Sequence, residues 1–243
     1  MPKAGITASA GKHAGYVTSA KDYDGSTNYA TNAAMTGGSA AKKHILSAWF
    51  RVDGSPNTEK YLFMVGLFTT PRLFADIPIG GVGNDLIRVG NIDGGFDFFC
   101  NTPAGSCVPG PAWHHLLFSG EIGVSARICF DGVLYASQAS TATHGYGPAA
   151  SVGARNDGQF KWDGCISEMW YHQGATLDLS VQANRELFIK NGKPVNLGAD
   201  GSTPLGVQPL VYAPNGDLSA NLGSGGNFTN NAALTACSSS PSD

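Results

Sequence analysis

A chain of 243 residues can bury one sizeable core and fits one domain of the larger all-β kind, with no room for a second full domain. Charged residues make up 14% of it and glycine fills 33 positions, so its surface is polar mainly through Ser, Thr, Asn and backbone; 12 Phe, 8 Tyr and 4 Trp exclude a disordered chain. With 15 Lys plus Arg against 18 Asp plus Glu, the net charge of -3 supplies no counterion-release drive toward phosphate backbones, and no nucleic-acid partner is expected.

The start, MPKAGITASAGKHAGYV, has no apolar signal-peptide core, and no stretch approaches the roughly 20 apolar residues that cross a bilayer, so no membrane insertion is expected. Strand signals follow. ILSAWFRV (45–52) alternates, with Leu46, Ala48, Phe50 and Val52 on one face and Ile45, Ser47, Trp49 and Arg51 on the other. YLFMVGLF (61–68), DLIRVGNI (85–92), FDFFC (96–100) and WHHLLFS (113–119) come next, each bounded by Gly, Pro, Asn or Asp. ARICF and VLYASQ flank Asp131-Gly132, a two-residue hairpin signal because both turn positions need positive φ. GCISEMWYH (164–172) is apolar on both alternating faces, which predicts a strand covered on both sides.

A short helix is predicted over about residues 180–190, capped by Asp178 or Ser180, carrying Val181, Leu187 and Phe188 as its apolar stripe and stopped at Gly192. One helix among many strands predicts an all-β sandwich over residues 1–192. Residues 193–243 are dominated by Gly, Ser, Asn, Ala and Pro, with apolar residues too sparse for a core of their own. Either a flexible tail or an extended arm fits that composition. The near absence of charge and the spaced anchors, Tyr212 and Phe228 among them, favour an arm lying on this domain or on a neighbouring subunit. The five cysteines, Cys100, Cys107, Cys129, Cys165 and Cys237, lack metal-ligand spacing. Cys100 and Cys107 could close a small loop in an oxidising compartment; two reduced thiols are the expected state.

In order, YDGSTNYA (23–30), ILSAWFRV, WHHLLFS followed by CFDGVLYAS, and FKWDGCISEMWYH resemble the concanavalin A-like sandwich in its laminin-G and pentraxin-like branch, across roughly residues 16–192. The resemblance implies a two-sheet antiparallel jelly roll with one short helix and an extended C-terminal arm. From residue 191 the run NGKPVNLGADGSTPLG to the end resembles the ending of laminin-G-like proteins encoded in the structural gene clusters of tailed bacteriophages. This implies a virion component made in the host cytoplasm: a non-enzymatic structural protein, first of all a capsid decoration or cement protein. Its implied partners are its own subunits and a major capsid or other virion protein. The alternative implied role is a glycan-binding, receptor-binding module on a head or tail fibre, with a host surface glycan as partner.

Glycoside hydrolysis on such a sandwich needs two carboxylates flanking the scissile bond. Glu168 stands alone in ISEMWYH with Ile166 and Trp170 as expected same-face neighbours, and Asp163 falls on the opposite face, so no catalytic residue is expected. His114 and His115, adjacent on a strand, point to opposite faces and do not share a metal. No cofactor is expected; Ca²⁺ is the one ion to consider, with Asp22, Asp24, Asn156 and Asp157 as candidate ligands, although no loop concentrates acids. Glycan binding needs exposed aromatics near polar loops, for which Tyr146, Phe160 and Trp162 are candidates; capping the core edge is the competing use.

Overall fold

The computed structural model describes residues 16–54, 58–69, 71–78 and 85–243; residues 1–15, on which the reading of the chain's start rests, lie outside them. The chain opens with β1 (Lys21–Asp24), β2 (Ala30–Asn32), β3 (Lys43–Phe50), β4 (Lys60–Val65), β5 (Arg72–Ile77) and β6 (Arg88–Ile92). β7 (Phe96–Asn101), β8 (His114–Glu121), β9 (Ser125–Phe130), β10 (Val133–Leu134), β11 (Gln138–Ala139) and β12 (Ala150–Val152) lead to the longest strand, β13 (Asp163–Gln173). One helical turn, α1 (Gln182–Arg185), precedes the short β14 (Ile189–Lys190), β15 (Lys193–Pro194), β16 (Val211–Ala213), β17 (Thr229–Asn230) and β18 (Thr235–Ala236).

The first sheet runs β10-β9-β8-β3-β13-β1-β18, with β11 on β9 and β16 on β13; the second runs β17-β2-β12-β4-β5-β6-β7. Each strand of the ladder is antiparallel to its neighbours. The expected all-β, two-sheet sandwich with almost no helix is what forms. Its interior is filled by the alternation seen in sequence: Leu46, Ala48 and Phe50 of β3 meet Phe63, Leu73, Val89 and Phe98 of the second sheet. The Asp131-Gly132 turn takes φ of 49° and 79°, the left-handed pair that matches the twist of β9 and β10.

The predicted helix shrinks to one turn, and the two residues just beyond its expected end give the reason. Asn191 and Gly192 take φ of 53° and 71° and close a hairpin between β14 and β15, so Gly192 is a hairpin residue rather than a helix stop. Phe188 then anchors in an apolar cluster with Ile45, Leu117, Trp170, Leu179, Leu197 and Tyr212, which covers the outer face of the first sheet.

Residues 193–243 lie along the chain's own sandwich: β16 pairs with β13, β17 with β2 and β18 with β1, and Tyr212 and Phe228 are buried. Cys237 is bonded to Cys165, 72 residues away. The pairing weighed from sequence does not form, because Cys100 and Cys107 are free and buried, as is Cys129.

Candidate functional site

The outer face of the second sheet is built differently from that of the first. Strand register places three rows on it: Tyr61–Asp76–Arg88, then Met64–Phe74–Gly90–Phe99, then Arg72–Ile92–Phe96. Tyr61, Met64 and Phe74 are buried, with Ile92, Phe99 and Phe160 half-buried against them. Gly90 is what lets the middle row close, because a Cβ there would come within 2.7 Å of ring carbons of both Phe74 and Phe99.

Arginines lie over these rings. The Arg88 guanidinium is 5.3 Å from the Phe74 centroid and 4.8 Å from that of Phe99. Its Nε donates to Asp76 Oδ1 at 2.8 Å, its Nη2 to Asp76 Oδ2, and Glu59 Oε1 lies 3.5 Å away, so two carboxylates converge on one cation. Burial pushes the Asp76 carboxyl up to about 7, and the guanidinium opposes that rise. Arg155 sits between Phe68 and Phe160, 3.7 and 4.5 Å from their centroids, and is held by two bonds to Asp157 of 2.9 and 2.6 Å. Arg72 lies 4.8 Å from the Phe68 centroid. It has no carboxylate within 4.0 Å among the described residues, and its Nε is buried without a partner. Phe96 is 70% exposed, Leu67 48% and Phe68 37%, so the rim of this face is apolar and open. Such a surface can stack against the C–H face of a sugar ring while its arginines and carboxylates bond the hydroxyls.

A family profile described as the concanavalin A-like lectin/glucanases superfamily, of laminin-G type, matches residues 24–182. The chain belongs to that superfamily. Among solved structures, this laminin-G-like domain is similar to a Bacteroides ovatus protein proposed to bind carbohydrate (TM-score 0.64, 16% identity, 91% of this chain and 60% of that one). It is also similar to a heptameric SAP-like pentraxin from Limulus polyphemus (TM-score 0.57, 10% identity, 90% of this chain and 94% of that one). At such identities the likeness is one of fold. No curated protein sequence matches the chain.

Within the laminin-G-like domain, the residues singled out from sequence separate. Phe160 lies on the outer face of the second sheet, beside Tyr61 and Arg155. Tyr146 and Trp162 are corrections: both are wholly buried, Trp162 edge-on to Phe50 at 5.3 Å and Tyr146 beside His44 at 5.1 Å, so neither can stack on a sugar. The four candidate calcium ligands do not fit an ion. Asp24 Oδ1 accepts from the N–H groups of Ser26, Thr27 and Asn28, Asp157 is held by Arg155, and Asn156 accepts from the Phe68 N–H. Among the described residues the metal-type group that Asp22 joins is with Cys165 and Cys237, which are spent on their disulfide, and the Thr235 hydroxyl donates to its Oδ2 at 3.4 Å. His114 pairs with Asp131 at 2.8 Å and stacks on Phe130, while His115 bonds Ser47 at 2.9 Å and packs on Trp49.

Sequence reasoning missed Glu59, Arg72, Asp76, Arg88 and Arg155. A signal was present: in RLFADI, Arg72, Phe74 and Asp76 alternate with Leu73, Ala75 and Ile77, the period of a strand with a polar working face.

Proposed function

We propose that this chain is a non-enzymatic glycan-binding module whose sugar site is the outer face of the second sheet. The observation that carries the reading is the layer of Arg72, Arg88 and Arg155 stacked on Phe68, Phe74, Phe99 and Phe160, with Asp76 and Glu59 beneath it. Both oxygens of Asp76 are taken by Arg88, so this carboxylate is not free as nucleophile or acid, and the glycosidase pair has no second member here. The setting we infer is a virion, where the module decorates the capsid or sits on a fibre; its support is the resemblance of residues 191–243 to phage proteins. Assembly of several copies belongs to this proposal, since weak single sites gain from avidity.

The test is a broad glycan array probed with the wild-type chain, Phe99→Ala and Phe68→Ala, with Val133→Ala on the first sheet as control. Binding by wild type and the control, weakened about tenfold or more in the two aromatic variants, is the expected result. Binding that both aromatic variants retain would move the site elsewhere, and no binding by the wild type would end the reading. Locating the chain in a reconstructed particle tests the setting.

A further inference from the structure

The edge of β13 changes partner halfway along. Residues Asp163–Ile166 pair with β1, whereas Met169–Tyr171 pair with β16, and on the other edge the ladder with β3 slips between Ser167 and Trp170. Ile166 therefore faces the interior while Trp170 faces the outer cluster, which corrects the expectation that they share a face. Glu168 sits at the switch. Its φ of 48° is a conformation that a side chain of this kind rarely adopts, and it is only 2% exposed. Oε1 accepts from the Tyr16 hydroxyl at 2.5 Å, but Oε2 is buried with no partner.

Glu168 lines a cavity of about 450 Å³ together with Tyr16, Asn196, Tyr212, Asn215 and Leu222. Among the described residues no Lys, Arg or His reaches within 4.0 Å of it. The titratable groups facing it are Tyr16 from the segment before β1 and Tyr212 from β16, with Asp200 acting on Tyr212. A strained backbone and an orphaned buried oxygen each oppose folding, and an apolar side chain would avoid the second cost. A ligand that brings a cation and hydrogen-bond donors would offset it.

We propose that this cavity binds a small hydroxylated primary amine, such as an amino sugar with a free amino group, whose ammonium pairs with the Glu168 carboxylate. The Asn196 and Asn215 amides are placed to meet hydroxyls, and the Tyr16 and Tyr212 rings and Leu222 to meet the ring carbons. The site is separate from the outer face of the second sheet and does not depend on it. Because burial pushes the Glu168 carboxyl up to about 8, it is mostly protonated at neutral pH, and pairing with an ammonium releases close to one proton.

Calorimetry of the full chain with glucosamine, N-acetylglucosamine and glucose, in two buffers of different ionisation enthalpy, reads both affinity and proton release. Glucosamine should bind at least about tenfold more tightly than either neutral sugar, with net proton release, and Glu168→Gln should abolish the preference. Equal binding of glucosamine and N-acetylglucosamine, or none by glucosamine, overturns the proposal. Should the Gln variant misfold, the pH dependence of the wild type decides: a glucosamine preference that persists at about pH 9 and above, where the amine is uncharged, counts against an ammonium held by Glu168. Phe99→Ala should leave this binding intact while weakening glycan binding, so the two sites fail separately.

Discussion

Replacing Glu168 by Gln isolates the energetic burden of the buried carboxyl. Its ordinary value of 4.5 rises to about 8 in the folded chain because burial disfavours the charged form. The folded state therefore holds a proton that the unfolded chain gives up, and the stability this contributes is full below about pH 4.5 and lost as pH rises through about 8. At 1.36 kcal/mol per pH unit the whole window is worth about 5 kcal/mol, of which about 3 kcal/mol is already lost by pH 7. Gln keeps an acceptor for the Tyr16 hydroxyl and does not titrate. Tyr16 and Tyr212 feel the Glu168 charge but titrate above this window, so the wild-type minus variant difference should fall by about 5 kcal/mol between about pH 4 and 9. Urea unfolding followed by tryptophan fluorescence at several pH values measures it. A difference that stays constant across that range would falsify the claim that the carboxyl is buried and neutral.

Cys237→Ser opens a loop of 72 residues and should cost about 4 kcal/mol in chain entropy, read as a lowered urea midpoint that added reductant no longer shifts; a reductant-insensitive wild type would argue against the bond. Gly90→Ala forces a methyl into the contact between Phe74 and Phe99 and should destabilise by about 1–3 kcal/mol while weakening glycan binding, whereas normal binding would show that these rings need not meet. Truncation before residue 206 removes β16 and uncovers Trp170 and Tyr171, so the remainder should aggregate or lose its sheet signal in circular dichroism; a soluble, folded remainder would make residues 206–243 an accessory arm.

Legibility followed the strength of alternation. β3 and β13 were plain because apolar residues recur on both alternating faces of each, and the register of Leu46, Ala48 and Phe50 was readable to the residue. β5 was not read as a strand because Arg72 and Asp76, the charges of the proposed sugar face, interrupt the apolar run. The same blind spot hid the site, since Glu59, Asp76 and Arg88 lie on separate segments that only the β4–β5–β6 register brings together. The bulge at Glu168 follows from the exchange of β1 for β16 along one edge of β13, a tertiary event with no local signature. The cysteine pairing failed in the same way, because it depends on β18 returning beside β1 from the far end of the chain.

The two outer faces also bear on what kind of glycan the proposed site should prefer. The first sheet presents Ile45, Leu117 and Trp170 outward, and residues after β13 fold back over them. On the second sheet planar guanidinium groups lie on the aromatic rings and keep them partly dry while leaving polar edges exposed. The charges there do not balance by pairing. Arg88 is neutralised by Asp76 and Glu59 and Arg155 by Asp157, whereas Arg72 lies near Arg155 without an acid of its own, and burial pulls its pKa below the ordinary guanidinium value. An incoming carboxylate would supply the missing partner, so a sugar acid is expected to bind more tightly than its neutral counterpart even though the chain carries a net charge of -3. A galacturonate oligomer should bind about tenfold more tightly than its methyl ester, and Arg72→Gln should bring the two to equality. The preference should shrink as salt is raised. A methyl ester that binds as well as the acid would show that Arg72 serves only to cover Phe68; preference for a sulfated over a carboxylated oligomer would keep the anion but change its chemistry.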